Sequence, residues 1–188
     1  MFVKICGITN PDDALAAVDA GARALGFIFV ASSSRAVTPE QIEPWIGRIP
    51  PAVWKVGVFA DETSESIERI SARLSLDVAQ LHGSETPERH PRGLRIWKAF
   101  RVAAPQANVP DYPAAEAILI DGIAYDWTRT AHFTRPLILA GGLDETNVAA
   151  RIALSRPWGV DVSSGIESSP GRKNHAHMKK FIETVLRS

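Results

Sequence analysis

Eight short apolar runs recur along the chain, and each is followed by a stretch long enough for a helix or an extended loop. They fall at residues 2–6 (FVKIC), 24–30 (ALGFIFV), 53–59 (VWKVGVF), 77–81 (DVAQL), 95–100 (RIWKAF), 117–121 (AILID), 136–140 (PLILA) and 158–162 (WGVDV). Most are apolar on both alternating faces, and strands that bury both faces belong to a parallel sheet covered by helices. Helix signals fill several of the gaps. Asn10-Pro11-Asp12-Asp13 combines an N-cap residue, a proline at the first helical position and two acids in the first turn. Thr38-Pro39-Glu40-Gln41 opens a second helix, and residues 63–74 place Ile67, Ile70 and Leu74 three and four apart. Residues 176–186 put Met178, Phe181, Ile182, Val185 and Leu186 on one stripe.

Eight βα units either close into a barrel or lie open as a doubly wound sheet. The first βα turn, CGITNP, lacks the GxGxxG spacing of a dinucleotide fold, which disfavours the open sheet. The expected class is therefore α/β, a single compact (β/α)8 TIM barrel over residues 1–188. Two connections are thin. After strand five, residues 102–113 carry Pro105, Pro110 and Pro113, and after strand six, residues 122–135 have little periodicity, so helices there are expected to be weak or missing.

Composition narrows the partners. Lys+Arg and Asp+Glu both number 21, so the basic excess of a nucleic-acid surface is absent. The longest apolar run, residues 24–31, is far short of the ~20 residues of a membrane helix. MFVKICGIT lacks the charged leader and long apolar core of a secretory signal, so the expected location is cytoplasmic. A single cysteine suits a reducing compartment and excludes both an internal disulfide and a cysteine-built metal cluster. His175 and His177, two apart on a predicted helix, point to different faces and cannot share a metal. His90 and His132 lie in polar loops and read as solvated. The five tryptophans are scattered along the chain, and Trp97, within a strand, reads as core.

In a barrel of this kind the site lies at the C-terminal ends of the strands. Cys6 ends strand one, Ser34 and Arg35 follow strand two, His82 follows strand four, and Asp121 ends strand six. Gly141 and Gly142 follow strand seven, and Ser163, Ser164 and Gly165 follow strand eight. Glycine-rich turns after the last two strands let backbone N–H groups approach a phosphate, with hydroxyls as further donors. Cys6 and Asp121 form a candidate base and acid: a carboxyl near apolar walls is expected to have a raised pKa. Lys4, two residues back on the same strand face, is expected to draw the thiol toward thiolate. The plainer alternatives are a core-filling Cys6, a turn-capping Asp121, a satisfied structural His82 and glycines that only make tight turns.

KICGIT at the first strand, GFIF followed by Ser33–Arg35, QLHG at residues 80–83, LAGGL at 139–143, GVDVSSGIE at 159–167 and PGRKN at 170–174 occur in one order along the chain. This set closely resembles the phosphoribosylanthranilate isomerases of tryptophan biosynthesis. The resemblance implies an Amadori rearrangement of N-(5-phosphoribosyl)anthranilate to 1-(2-carboxyphenylamino)-1-deoxyribulose 5-phosphate, with no cofactor and no metal. It implies Cys6 as general base taking the C2 proton and Asp121 as general acid protonating the furanose ring oxygen. Arg35 is implied to meet the anthranilate carboxylate, with His82 and the glycine and serine turns completing a substrate-binding set. The partner implied is a small phosphoribosyl molecule, and the chain is expected to be a monomer or homodimer.

One departure stands out. Asp121 leads through Gly122-Ile123-Ala124 directly into Tyr125-Asp126-Trp127, where the family usually has a GGTG-type loop. Two alternatives stay open beside the isomerase. One is a lid-deficient, catalytically weakened phosphosugar-binding barrel. The other is an isomerase for a related phosphoribosyl substrate of histidine biosynthesis, disfavoured because that relative's barrel resembles one with two catalytic aspartates.

Overall fold

The computed structural model describes residues 1–122, 124–130 and 133–188, apart from the side chains of residues 89, 128 and 130. Residue 123 of the short loop and His132 lie outside the described residues. Eight parallel strands close on themselves, with β1 paired to both β2 and β8. They are β1 (Phe2–Cys6), β2 (Ala24–Ile28), β3 (Trp54–Phe59), β4 (Val78–Leu81), β5 (Arg95–Arg101), β6 (Ala117–Asp121), β7 (Leu137–Ala140) and β8 (Gly159–Val162). The expected second strand was longer: β2 stops at Ile28 because the chain turns, with Ser33 N–H donating to the Val30 carbonyl.

The helices are α1 (Pro11–Ala20), α2 (Pro39–Ile46), α3 (Ser64–Leu74), α4 (Val148–Ser155) and α5 (His175–Arg187). Asn10 caps α1 by accepting from the Asp13 N–H, and Asn174 caps α5 by accepting from the N–H groups of Ala176 and His177. Their apolar faces, with Ile42, Ile67, Leu74, Phe181 and Ile182, pack on the outward positions of the strands. Between β8 and α5 the chain forms a strap of two short antiparallel strands, β9 (Glu167–Ser169) and β10 (Arg172–Lys173).

No α-helix follows β5 or β6 among the described residues, as expected, but none follows β4 either. There Thr86-Pro87-Glu88 starts a single turn of 3₁₀ helix at Pro87–Arg89. Pro91 then forces His90 into extended backbone (φ −88°, ψ 151°), because a residue before proline is driven out of the helical region. A polar pair sits behind the uncovered strands. Lys98, pointing outward from β5, donates to the Gly83 carbonyl and to Glu85 Oε2, both at 2.6 Å.

The inward positions also separate along the barrel axis. Three of the five tryptophans, scattered in sequence, converge at its N-terminal end: Phe2 stacks on Trp158 with ring centres 4.4 Å apart, and Trp54 and Trp97 lie 5.3 and 5.8 Å from Phe2. Trp97 is core, as expected. His90 departs from its solvated reading, since it is half-buried with Nδ1 2.5 Å from the Pro87 carbonyl. No helix among the described residues is long and apolar enough to cross a membrane.

Candidate active site

A cavity of about 520 Å³ opens at the C-terminal ends of the strands. Cys6, Arg35, His82 and Asp121 line it from β1 and the ends of β2, β4 and β6. Gly141 and Gly142 after β7, and Ser163, Ser164 and Gly165 after β8, complete the wall. Of the residues singled out from strand-end position, Ser34 alone is not part of this wall, and the others face one space.

Cys6 sits beside Gly26 of β2 in register, and this glycine makes the site possible. A Cβ at residue 26 would lie 2.8 Å from Cys6 Sγ and 3.1 Å from Lys4 Nζ, so the missing side chain is the space in which thiol and ammonium meet. Lys4 is wholly buried and donates to Asp161 Oδ2 at 2.9 Å. Burial works against the Lys4 charge, but Asp161 and Cys6 together hold its pKa above the ordinary value. The thiol departs from expectation. Burial pushes Cys6 above its ordinary value, and the pull of Lys4 is outweighed, with the Asp161 carboxylate adding to the rise. At neutral pH the resting thiol is protonated.

Asp121 departs in the opposite sense. His82 beside it, helped by Arg101, holds its carboxyl below the ordinary value against the effect of burial. His82 Nε2 lies 3.4 Å from Asp121 Oδ2, and Arg101 Nε lies 3.8 Å away. His82 is not a satisfied structural histidine, because its buried Nε2 has no aligned hydrogen bond. Gly141 has φ of 86°, and a Cβ there would stand 2.7 Å from Asp121 Oδ1. This glycine thus makes room for the acid as well as turning the chain. Gly142 also has a positive φ, 63°, and its carbonyl accepts from Asn147 Nδ2 at 2.9 Å. At Gly165 a Cβ would run into the Leu143 carbonyl, so the turns after β7 and β8 touch.

Arg35 lies across the mouth with its stem against Gly7, where a Cβ would be 2.8 Å from Arg35 Cδ. Its guanidinium is held by Glu167, a partner that strand-end reasoning did not supply. Gln80, Arg101 and Asp161 were missed in the same way. One signal was available: Lys4, Gln80 and Asp161 are single polar residues on inward positions of otherwise apolar strands, two residues before Cys6, His82 and Ser163. Gln80 Oε1 and Asp161 Oδ1 are buried without hydrogen-bond partners, and both residues line the cavity. Buried polar atoms left unpaired in a cavity wall are ready to meet a polar ligand.

Among the described residues, no group of three or more His, Cys, Asp or Glu side chains could hold a metal ion. His175 and His177 instead meet separate carboxylates, Asp13 at 2.8 Å and Glu145 at 3.2 Å.

The family model for N-(5'-phosphoribosyl)anthranilate (PRA) isomerase matches residues 3–184. The N-(5'-phosphoribosyl)anthranilate isomerase of Magnetococcus marinus is 43% identical over 201 residues, spanning 99% of this chain and 95% of that protein. Its counterpart from Pseudomonas fluorescens is 44% identical over 197 residues, spanning 97% of each. Among solved structures, the phosphoribosyl anthranilate isomerase of Thermus thermophilus is similar with a TM-score of 0.90 at 36% identity, covering 100% of this chain and 99% of that one. A phosphoribosyl anthranilate isomerase in complex with reduced 1-(o-carboxyphenylamino)-1-deoxyribulose 5-phosphate gives 0.88 at 36% identity, with full coverage of both chains.

Proposed function

The chain belongs to the N-(5'-phosphoribosyl)anthranilate isomerase family, and from that premise we propose the roles of the residues around its cavity. The protein is an isomerase of tryptophan biosynthesis. It converts N-(5-phosphoribosyl)anthranilate into 1-(2-carboxyphenylamino)-1-deoxyribulose 5-phosphate by an Amadori rearrangement. One observation carries the assignment of roles: a cysteine and an aspartate open on the same cavity as the two glycine-rich turns.

Asp121 donates a proton to the furanose ring oxygen, the C1–O bond breaks, and a protonated imine remains. That imine acidifies the neighbouring C2–H, so a modest base suffices. Cys6 takes the C2 proton, and the resulting enolamine becomes the ketone by gaining a proton at C1 and losing one from the C2 hydroxyl. The working form needs Cys6 as thiolate and Asp121 as acid, the reverse of the resting arrangement but with the same total number of protons. Lys4 lowers the cost of reaching it, since an ammonium beside a thiol favours the thiolate. Each turnover leaves Cys6 protonated and Asp121 ionised, which is the resting form.

The turns after β7 and β8 bind the phosphate, with Gly142 and Ser164 on either side. His82 and Asp121 work as a pair, and Arg35 meets the anthranilate carboxylate. We take residues 1–188 to act as one barrel domain, as a monomer or homodimer in the cytoplasm. The short connection from Asp121 to Tyr125 is expected to weaken KM, and grafting a GGTG-type segment there is expected to lower it.

The direct test follows the loss of anthranilate fluorescence after adding substrate to the wild type and to the Cys6→Ala and Asp121→Asn variants. Loss of turnover in both variants, with retained binding of the reduced product analogue, supports the roles. Full activity in Cys6→Ala returns the cysteine to core filler. For the phosphate site, a crystal soaked in sulfate is expected to hold the anion between Gly142 and Ser164, and an anion found elsewhere overturns that placement.

A further inference from the structure

Three charged side chains meet where the strap closes on the cavity. Glu167 Oε1 and Oε2 accept from Arg35 Nε at 2.9 and 3.0 Å, and Oε2 accepts from Nη2 at 2.6 Å. Lys173 Nζ donates to Oε1 of the same carboxylate at 2.8 Å and lies 3.3 Å from the Ser163 carbonyl. The Glu167 and Lys173 side chains are 4% and 0% exposed, so water screens neither. One carboxylate thus serves two cations, and the cluster carries a net positive charge at the edge of the cavity. Burial opposes ionisation of Glu167, but its two partners hold it below the ordinary value, so it stays charged at neutral pH.

The strap itself is anchored. Thr9 Oγ1 donates to the Gly171 carbonyl at 2.6 Å, and Lys173 N–H donates to Asp13 Oδ2 at 2.9 Å. Glu167 is therefore a fixed point against which the long Arg35 side chain is held. A guanidinium has two edges that suit a carboxylate: one made of Nε and Nη2, the other of Nη1 and Nη2. Glu167 takes the first. On the second, Nη1 has a hydroxyl contact, Ser34 Oγ at 3.3 Å, on the exposed side.

We propose that Glu167 is a positioning residue for substrate: by holding the Nε/Nη2 edge of Arg35, it aims the Nη1/Nη2 edge at the substrate's aromatic carboxylate. This rests on the reading of Arg35 as the partner of that carboxylate. Glu167 also disperses part of the Arg35 charge, so without the fixed geometry a second carboxylate would gain little from it. Holding a long side chain in the bound conformation before the ligand arrives removes an ordering penalty from binding. Lys173 in turn keeps Glu167 ionised and in place.

Two ligands test this: the reduced 1-(o-carboxyphenylamino)-1-deoxyribulose 5-phosphate and its phenylamino counterpart lacking the ring carboxyl. Calorimetric titration of the wild type is expected to show a clear preference for the carboxylated ligand, and Arg35→Met is expected to abolish it. Glu167→Gln is expected to cut the preference about tenfold, the scale of one charge-assisted hydrogen bond, leaving the phenylamino ligand within about twofold. Because Glu167→Gln leaves Lys173 buried without its counter-ion, the Glu167→Gln/Lys173→Met double variant is titrated in parallel, with the same loss expected. An unchanged or increased preference in the folded variants overturns the proposal, as does equal weakening of both ligands. If Arg35→Met itself keeps the preference, the underlying reading of Arg35 fails, and the proposal with it.

Discussion

At the N-terminal end of the barrel the inward positions of β1, β3 and β5 carry Phe2, Trp54 and Trp97; at the C-terminal end β1 and β5 carry Cys6 and Arg101. On β1 the change takes four residues, from Phe2 through Lys4 to Cys6. At the base, rings pack tilted or edge-on and stack at the rim, so the barrel is closed by apolar area and its dispersion contacts. Toward the mouth, buried polar atoms lack hydrogen bonds: Gln80 Oε1 and Asp161 Oδ1 make none, and His82 Nε2 meets Asp121 Oδ2 only at 3.4 Å. Each such group is unfavourable for folding. Stability is therefore concentrated at one end of the strands and reactivity at the other, and substitutions at the two ends are expected to read out in different measurements.

The largest effect is expected at the mouth. Cys6→Ala and Asp121→Asn should each reduce kcat by about 10²–10⁴, the usual contribution of a positioned base or acid, with little change in Tm. A comparable fall in Tm would break the separation of the two ends. At the base, Trp97→Ala is expected to destabilise the fold by about 3–5 kcal/mol, measured by urea unfolding, while the folded fraction keeps its kcat. Equal losses of stability and kcat would mean that the aromatic floor also shapes the site.

Lys4 lies between the two ends, so Lys4→Met sharpens the comparison. Removing the ammonium leaves burial of the thiol unopposed, and the pH midpoint for alkylation of Cys6 should move further upward. Each unit of that shift is about tenfold in the thiolate present at neutral pH. The Lys4→Met/Asp161→Asn double variant avoids an unpaired buried carboxylate and should keep the upward shift if the ammonium is responsible. The smallest effect concerns acid stability. Because the folded-state pKa of Asp121 is depressed below 3.8, its contribution is present above that value and is lost as pH falls through the folded-state pKa. Asp121→Asn should therefore flatten the acid limb of the Tm–pH curve slightly, and an unchanged limb would mean that His82 does not hold the carboxylate.

Much of the fold was legible because its signals are local. A continuous apolar run marks β6 at its observed limits, Ala117–Asp121, and Asn10-Pro11 marks the start of α1. The missing helix after β4 escapes a count of βα units because its cause is local: the terminating Pro91 comes only four residues after Pro87. The cavity wall was legible for a topological reason: once eight parallel strands are counted, closure brings their C-terminal ends to one mouth, and Cys6, Asp121 and the two glycine turns arrive together.

By itself, the sequence determined the strand count, the order of the strands and the residues at their ends, since periodicity and caps act over a few neighbours. Only the tertiary structure decided the charges and contacts those residues work with. Cys6 is pushed up by burial although Lys4 stands two residues away, and Asp121 is pulled down by His82, which follows β4. Arg35 is held by Glu167, 132 residues further along, and Trp54 of β3 and Trp97 of β5 share one floor with Trp158, just before β8. Burial and Coulomb interaction depend on distance through space, and in a closed barrel those distances are set by strand register and closure rather than by separation along the chain.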